Sequence, residues 1–215
     1  MFFERLLEDP LFFLVGLLSV VIALTVHEFA HAVVATYFGD DTAKAQGRLT
    51  LNPLRHLDPM GFIMMLFVGF GWAKPVPVNQ YNLRNPKWSM VLVAAAGPGV
   101  NVLMAIFSIL FIRLLANHLG STNLLLIFLF LLALVNALFA VFNLIPIPPL
   151  DGSRVLFGFL PDKYIEFKQK FTQFGPFILI GLIILDNYLV GYADFSLFGL
   201  ILGWIPNFLL HLTSI

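Results

Sequence analysis

From Leu11 to Tyr37 the chain carries one formally charged side chain, Glu28, in an otherwise apolar run. Coiled as a helix, a run of that length reaches roughly 40 Å, which exceeds the ~30 Å hydrocarbon core of a bilayer. Four more stretches qualify or nearly so: Trp88–Leu115, Leu124–Leu144, Phe171–Val190 and Phe195–Leu212. The fourth is weakest, because Gly175-Pro176 interrupts its start and Asp186 lies near its end. The chain is 60% hydrophobic and 11% charged, against about 45–50% and about 25% in soluble domains. A soluble core cannot absorb that much apolar surface. The composition predicts an all-α polytopic membrane protein with about five transmembrane helices, four to six being possible.

Met60–Trp72 is apolar but too short to span. It reads as a re-entrant or interfacial segment between the first two spans, leading into a short edge strand through Ala73-Lys74-Pro75-Val76-Pro77-Val78, because proline tolerates strand edges and not central ladders. Arg48-Leu49-Thr50-Leu51 reads as another short strand. The run from Leu11 is too long, its leader too little basic, for a cleavable signal peptide. One membrane-embedded domain over 1–215 is expected, with a core over 11–160 and C-terminal helices of open role over 161–215.

Lys44, Arg48, Arg55, Lys74, Arg84 and Lys87 lie between the first two spans, and Arg154, Lys163, Lys168 and Lys170 follow the third. The loops Ala116–Asn123 and Asp186–Asp194 have no Lys or Arg. By the positive-inside rule, a five-span chain then has its N-terminus outside and its C-terminus inside. The expected setting is a prokaryotic plasma membrane. Net charge is zero, so nothing suggests a nucleic-acid partner; the lipid bilayer is the expected partner.

The first span contains His27-Glu28-Phe29-Ala30-His31. Residues four apart share one helix face, so both imidazoles can bind one Zn²⁺, with Glu28 placed to take a proton from a zinc-bound water. Ionisable groups in a span are expensive, and a functional role is the default. Loop charges put this end of the helix toward the cytoplasm. There is no cysteine, so a third ligand must be His or carboxylate. His56, His118, His211, Glu166 and the aspartates are available, and Asp151 is best placed, because the third span returns the chain to the face where the first one ends. Asp151 also suits a helix N-cap. Asn143 could hydrogen-bond a neighbouring helix or a backbone freed by Pro146, or donate to a developing oxyanion. Gly97-Pro98-Gly99-Val100-Asn101 reads as close helix packing with a proline kink, from which Asn101 could reach the site. Two non-proteolytic readings, a metal transporter and an inactive membrane scaffold, fit less well: the ionisable groups gather at one depth, and Glu28 and its flanking histidines are all present.

His27-Glu28-Phe29-Ala30-His31, Gly97-Pro98-Gly99-Val100-Asn101 and Asn143…Pro146…Leu150-Asp151-Gly152 occur in this order on the first three spans. Together they resemble the site-2 protease family of intramembrane zinc metalloproteases, over roughly Val26 to Leu160. Gly71-Trp72-Ala73-Lys74-Pro75-Val76-Pro77-Val78-Asn79 is similar to its small members, and Ala116–Asn123 leaves no room for a PDZ-like insertion. The resemblance implies one zinc held by His27, His31 and Asp151. It implies Glu28 as general base and Asn143 as stabiliser of the tetrahedral intermediate. It also implies a transmembrane protein or peptide substrate as partner, with residues near Gly69–Val78 pairing with its unwound strand.

Overall fold

The computed structural model describes residues 9–68, 71–120, 122–193 and 195–213. Helix α1 spans Pro10–Tyr37, started by Pro10 at its first turn and by the Asp9 carboxylate, which accepts from the Phe12 amide at 3.0 Å. A short α2 (Thr42–Ala45) and α3 (Pro59–Val68) precede α4 (Pro86–Leu115) and α5 (Leu124–Asn143). Then come α6 (Asp151–Phe159), α7 (Ile165–Ala193), α8 (Leu197–Leu202) and α9 (Ile205–Thr213). Asn85 and Asn123 cap α4 and α5 through side-chain oxygens, each satisfying an otherwise orphaned amide at those ends.

Among the described residues, four helices are long and apolar enough to cross a membrane: α1, α4, α5 and the stretch Asp162–Ala193 containing α7. The first three form the centre of the bundle, packing pairwise against one another. Ser19, Ala23, Ala32 and Ala35 are fully buried on α1, and side chains that small let backbones approach closely where lipid offers no hydrophobic drive. Proline at 176 does not break α7, which runs continuously past it. Only 11% of its most apolar window is buried, against 39% in α4, so α7 lies at the periphery.

The fifth apolar stretch is broken into α8 and α9 around Gly203. Asp186, on α7, accepts from the Ser196 hydroxyl and from the Leu197 and Phe198 amides. That cap starts α8 beside the last third of α7. Phe198 meets Phe142 at the end of α5, Ile205 and Leu209 pack on Ala133, and the Leu212 carbonyl accepts from Arg113 Nε at 2.9 Å. The C-terminal helices thus end beside the C-terminus of α4, and not on the side reached by the end of α1 as the five-span reading expects.

No strand forms among the described residues; the β character is one isolated bridge, Leu57 with Ala73. Arg48–Leu51 is irregular, and Gly69 and Phe70 lie outside the described residues. The reason is visible in the sequence. Pro75 and Pro77 have no amide to enter a ladder, while proline at 75 and 77 keeps Lys74 and Val76 extended. The segment is pinned piecewise: the Lys74 amide donates to the His56 carbonyl at 2.9 Å, and Arg48 Nη2 donates to the Lys74 carbonyl at 2.5 Å. Its far end is tied to α1 by the fully buried Asp40, which accepts from the Asn79 amide at 2.6 Å and from Asn82 Nδ2 at 3.0 Å. Burial works against ionisation of Asp40, but bonds from Thr42, Asn82 and Asn79 outweigh it and hold the carboxyl below its ordinary range.

Candidate metal centre

His27 and His31 lie one turn apart on the buried face of α1, and Asp151 is the first residue of α6. The chain between α5 and α6 folds back tightly enough to deliver it. A Cβ on Gly152 would lie 2.1 Å from the Leu144 carbonyl oxygen, so only glycine permits that approach. Asp151 therefore does not act as an N-cap; Leu150 holds that position, and the Asp151 carboxylate turns to the histidines.

His27 Nε2 and His31 Nε2 are 3.0 Å apart, and Asp151 Oδ2 lies 3.1 and 3.2 Å from them. All three residues are buried. The other nitrogens are committed. His31 Nδ1 is 2.7 Å from the Val93 carbonyl oxygen, which can only accept, so Nδ1 carries the proton. His27 Nδ1 is 2.6 Å from Asn101 Oδ1, also an acceptor. With each proton on Nδ1, neutral imidazoles turn two lone pairs and one carboxylate oxygen toward a common point, and Asp151 Oδ2 receives no hydrogen bond there. Three acceptors so close need a cation between them. Zinc bonds of about 2.0–2.1 Å in tetrahedral array place ligand atoms about 3.3 Å apart, near the triangle observed. The donor set fits zinc.

Gly97 of α4 closes the triangle from behind. A Cβ there would stand 2.5 Å from His31 Nε2 and 2.6 Å from His27 Nε2. Glu28 is turned to the Lys74–Val78 segment, where its Oε2 accepts from the Val76 amide at 2.9 Å. Between Pro75 and Pro77, that amide is the one available donor, and Glu28 takes it. Arg48, 4% exposed, holds the Lys74 carbonyl two residues away. Burial lowers the affinity of its guanidinium for its proton, and the charge of Glu28 acts the other way.

Asn143 is not drawn into this cluster: it is half-buried, and its Nδ2 donates to the Phe139 carbonyl of its own helix at 3.1 Å. His56 is fully buried with Nε2 at 2.8 Å from the Thr50 carbonyl oxygen, and does not join the triangle. Asn101 does touch the centre. Behind it stands Asn136, fully buried, whose Oδ1 accepts from Asn101 Nδ2 at 2.7 Å. Sequence reasoning passes over Asn136. Its signal is isolation: apart from the terminal Asn143, it is the one amide in α5.

Fold and centre define a multi-pass membrane protein with a two-histidine, one-carboxylate metal site. Residues 111–184 match peptidase family M50. That stretch holds Asn136, Asn143 and Asp151 but not the histidine pair. Three relatives carry the name “Putative zinc metalloprotease”. YwhC of Bacillus subtilis (strain 168) is 43% identical over 79% of this chain and 79% of its own. Rip2 of Mycobacterium tuberculosis (strain ATCC 25618 / H37Rv) is 32% identical over 76% of this chain and 63% of its own. MJ0611 of Methanocaldococcus jannaschii is 32% identical over 68% and 71%. No solved structure matches the chain. The chain belongs to peptidase family M50, the site-2 protease family, and is a zinc-dependent metalloprotease.

Proposed function

We propose that the chain is an intramembrane endopeptidase, hydrolysing peptide bonds within or near transmembrane segments of membrane proteins. The observation that carries this is the depth of the site. His27 and His31 lie ten and six residues before the end of α1, which is about 15 and 9 Å inside a membrane-length helix. A substrate must therefore reach the site at bilayer depth.

In this reading His27, His31 and Asp151 would hold the zinc, which when bound would lower the pKa of a water and polarise a carbonyl. Glu28 would be the general base; the Val76 amide holds one of its carboxylate oxygens and leaves the other free to take a proton. After taking a proton it returns one to the leaving amine. Asn143 turns from the Phe139 carbonyl to donate to the developing oxyanion. A helical substrate hides its carbonyls in its own hydrogen bonds, so it unwinds locally, and the extended Lys74–Val78 segment, held from one side by Glu28, Arg48 and the His56 backbone, offers its other edge.

The basic residues of the α1–α4 connection lie at the end of the bundle where α6 packs, with the Trp88 and Phe159 rings 5.5 Å apart. This supports a cytoplasmic site in a prokaryotic plasma membrane, with residues 11–160 as the catalytic core of a single domain and 161–215 as accessory helices.

The test is Glu28→Gln in protein purified and reconstituted with a model single-span substrate. Cleavage should be lost with zinc still bound. Cleavage at the wild-type rate would overturn the assignment of the base. Cleavage restricted to soluble peptides, with none of membrane-inserted substrate, would overturn the intramembrane reading.

A further inference from the structure

Asn101 and Asn136 are each fully buried in the middle of a membrane-length helix. An amide there is costly unless every polar atom is paired. The pairing is complete enough to fix a direction. Leu132 C=O, in α5, can only accept, and it takes Asn136 Nδ2 at 2.8 Å. Asn136 Oδ1 must then face α4, where it accepts from Asn101 Nδ2 at 2.7 Å. The Ala23 carbonyl of α1 accepts from the same nitrogen at 3.1 Å. Flipping the Asn101 amide would set its oxygen against both acceptors. Asn101 Oδ1 is thereby turned to His27 Nδ1 at 2.6 Å.

From this geometry we infer that Asn101, oriented by Asn136 and the Ala23 carbonyl, is a positioning residue that fixes the tautomer of His27. Backbone carbonyls at both ends of the relay admit one polarity. That polarity puts the His27 proton on Nδ1 and leaves the Nε2 lone pair facing His31 and Asp151. His31 has its own device, the Val93 carbonyl, and does not depend on the relay. The inference rests on reading His27 as a metal ligand, and it assigns α5 a part in the centre although α5 supplies no ligand among the three.

The experiment labels the histidines with ¹⁵N in the full chain in detergent micelles, assigns them with His27→Gln and His31→Gln, and reads each ring's tautomer before zinc is added. Zinc affinity then follows from competition with a chromophoric chelator. Wild type should show Nδ1–H at both rings. Asn101→Leu, similar in volume, should release His27 to a mixture while His31 keeps Nδ1–H. Zinc binding should weaken roughly tenfold to a hundredfold, as when ligand-orienting partners are removed elsewhere. Asn136→Leu leaves the Ala23 contact and should shift His27 in the same direction by less; it also serves if Asn101→Leu does not fold. His27 remaining on Nδ1–H with unchanged zinc affinity would overturn the inference. A shift of both rings together would also overturn it, since that reports a loosened bundle. Neither readout involves proteolysis, so the endopeptidase reading can fail while this one stands. Loss of His27 as a ligand is recognised separately, by unaltered zinc stoichiometry in His27→Gln.

Discussion

Alanine at position 97 puts a methyl group where the metal triangle has no room. The added carbon would lie 2.5 Å from His31 Nε2 and 2.6 Å from both Cε1 and Nε2 of His27, against a comfortable separation of about 3.5–4.0 Å. The overlap is therefore about 1 Å. With zinc bound, neither ring can withdraw without breaking a buried hydrogen bond, to Asn101 in one case and to Val93 in the other. Overpacking of this kind costs about 1–3 kcal/mol. In the metal-free protein each ring is held by that one bond and by no metal, so it yields more readily; part of the cost falls on folding and the rest on metal binding, a loss of up to about 150-fold in zinc affinity. Gly99, two residues along the same helix, has nothing within 4 Å of the point where its added methyl would stand and provides the control. Both substitutions gain the same helix propensity, about 1 kcal/mol, so their difference isolates the overlap. The assay is zinc stoichiometry and chelator competition on Gly97→Ala and Gly99→Ala, with thermal unfolding of each. Wild-type affinity in Gly97→Ala would refute the packing argument. Equal loss in both would refute it too, because then helix flexibility and not steric room sets affinity.

The Val76 amide can be deleted by proline. Residue 76 precedes a proline and is already confined to extended backbone; Val76→Pro removes the donor to Glu28 and sets the ring's Cδ where the amide hydrogen stands, so the Glu28 carboxylate is displaced from its anchor. Cleavage should fall by about tenfold to a hundredfold, the scale of a misplaced catalytic group, with zinc content unchanged; Val76→Ala controls for the buried side chain, and an equal fall in both would refute the role of the amide. Asp40 supplies a pH dependence of stability. Its folded-state carboxyl is held low, so its contribution is present above the ordinary value of about 3.9 and disappears as pH falls through the lower folded value. Asp40→Asn leaves at least one of its donors unpaired and should cost about 1.5–3 kcal/mol at neutral pH. Thermal unfolding should show that gap closing in acid; a gap that persists undiminished below a pH of about 3 would sink the charge argument.

The three central spans are legible because length and hydropathy are local properties: Leu11–Tyr37, Trp88–Leu115 and Leu124–Leu144 differ from the observed α1, α4 and α5 by a residue or two at most ends. The fifth stretch is not legible, because its fate depends on Asp186, a polar residue of another helix that captures the amides of Leu197 and Phe198. The strand reading of Lys74–Val78 has the right extended backbone, which its prolines impose, but no partner strand. Its hydrogen bonds go instead to a helix carboxylate, an arginine and a loop carbonyl. The histidine pair can be read from spacing alone. Asp151 can be argued only from the parity of the spans, and the structure brings it to the pair. Asn136 lies in no motif, since it acts through a neighbour on α4; Val76 lies within the Gly71–Asn79 stretch, but its bond to Glu28 is made by its backbone, which no side-chain pattern reports.

A carboxylate as the third member of the triangle has a physical rationale. Two histidines and Asp151 leave a bound Zn²⁺ with one net positive charge, and Glu28 beside it brings the group to neutrality. A third histidine would leave the same group carrying a full positive charge among membrane-length helices. At an effective dielectric constant near 20, one charge pair at 4 Å is worth about 4 kcal/mol, so the difference is comparable with the whole cost of a charged residue at mid-span, about 2.5–3.5 kcal/mol. The carboxylate is also supplied from the right kind of place. Asp151 sits in the first turn of α6, where the helix dipole favours negative charge, and α6 lies outside the four spans, so the acid enters from the end of the bundle and not through its apolar interior. Besides hydroxyls bonded to carbonyls of their own helix, such as Ser19, Thr25 and Ser108, the central helices then bury neutral imidazoles, a pair of amides and one carboxylate already held by a backbone amide.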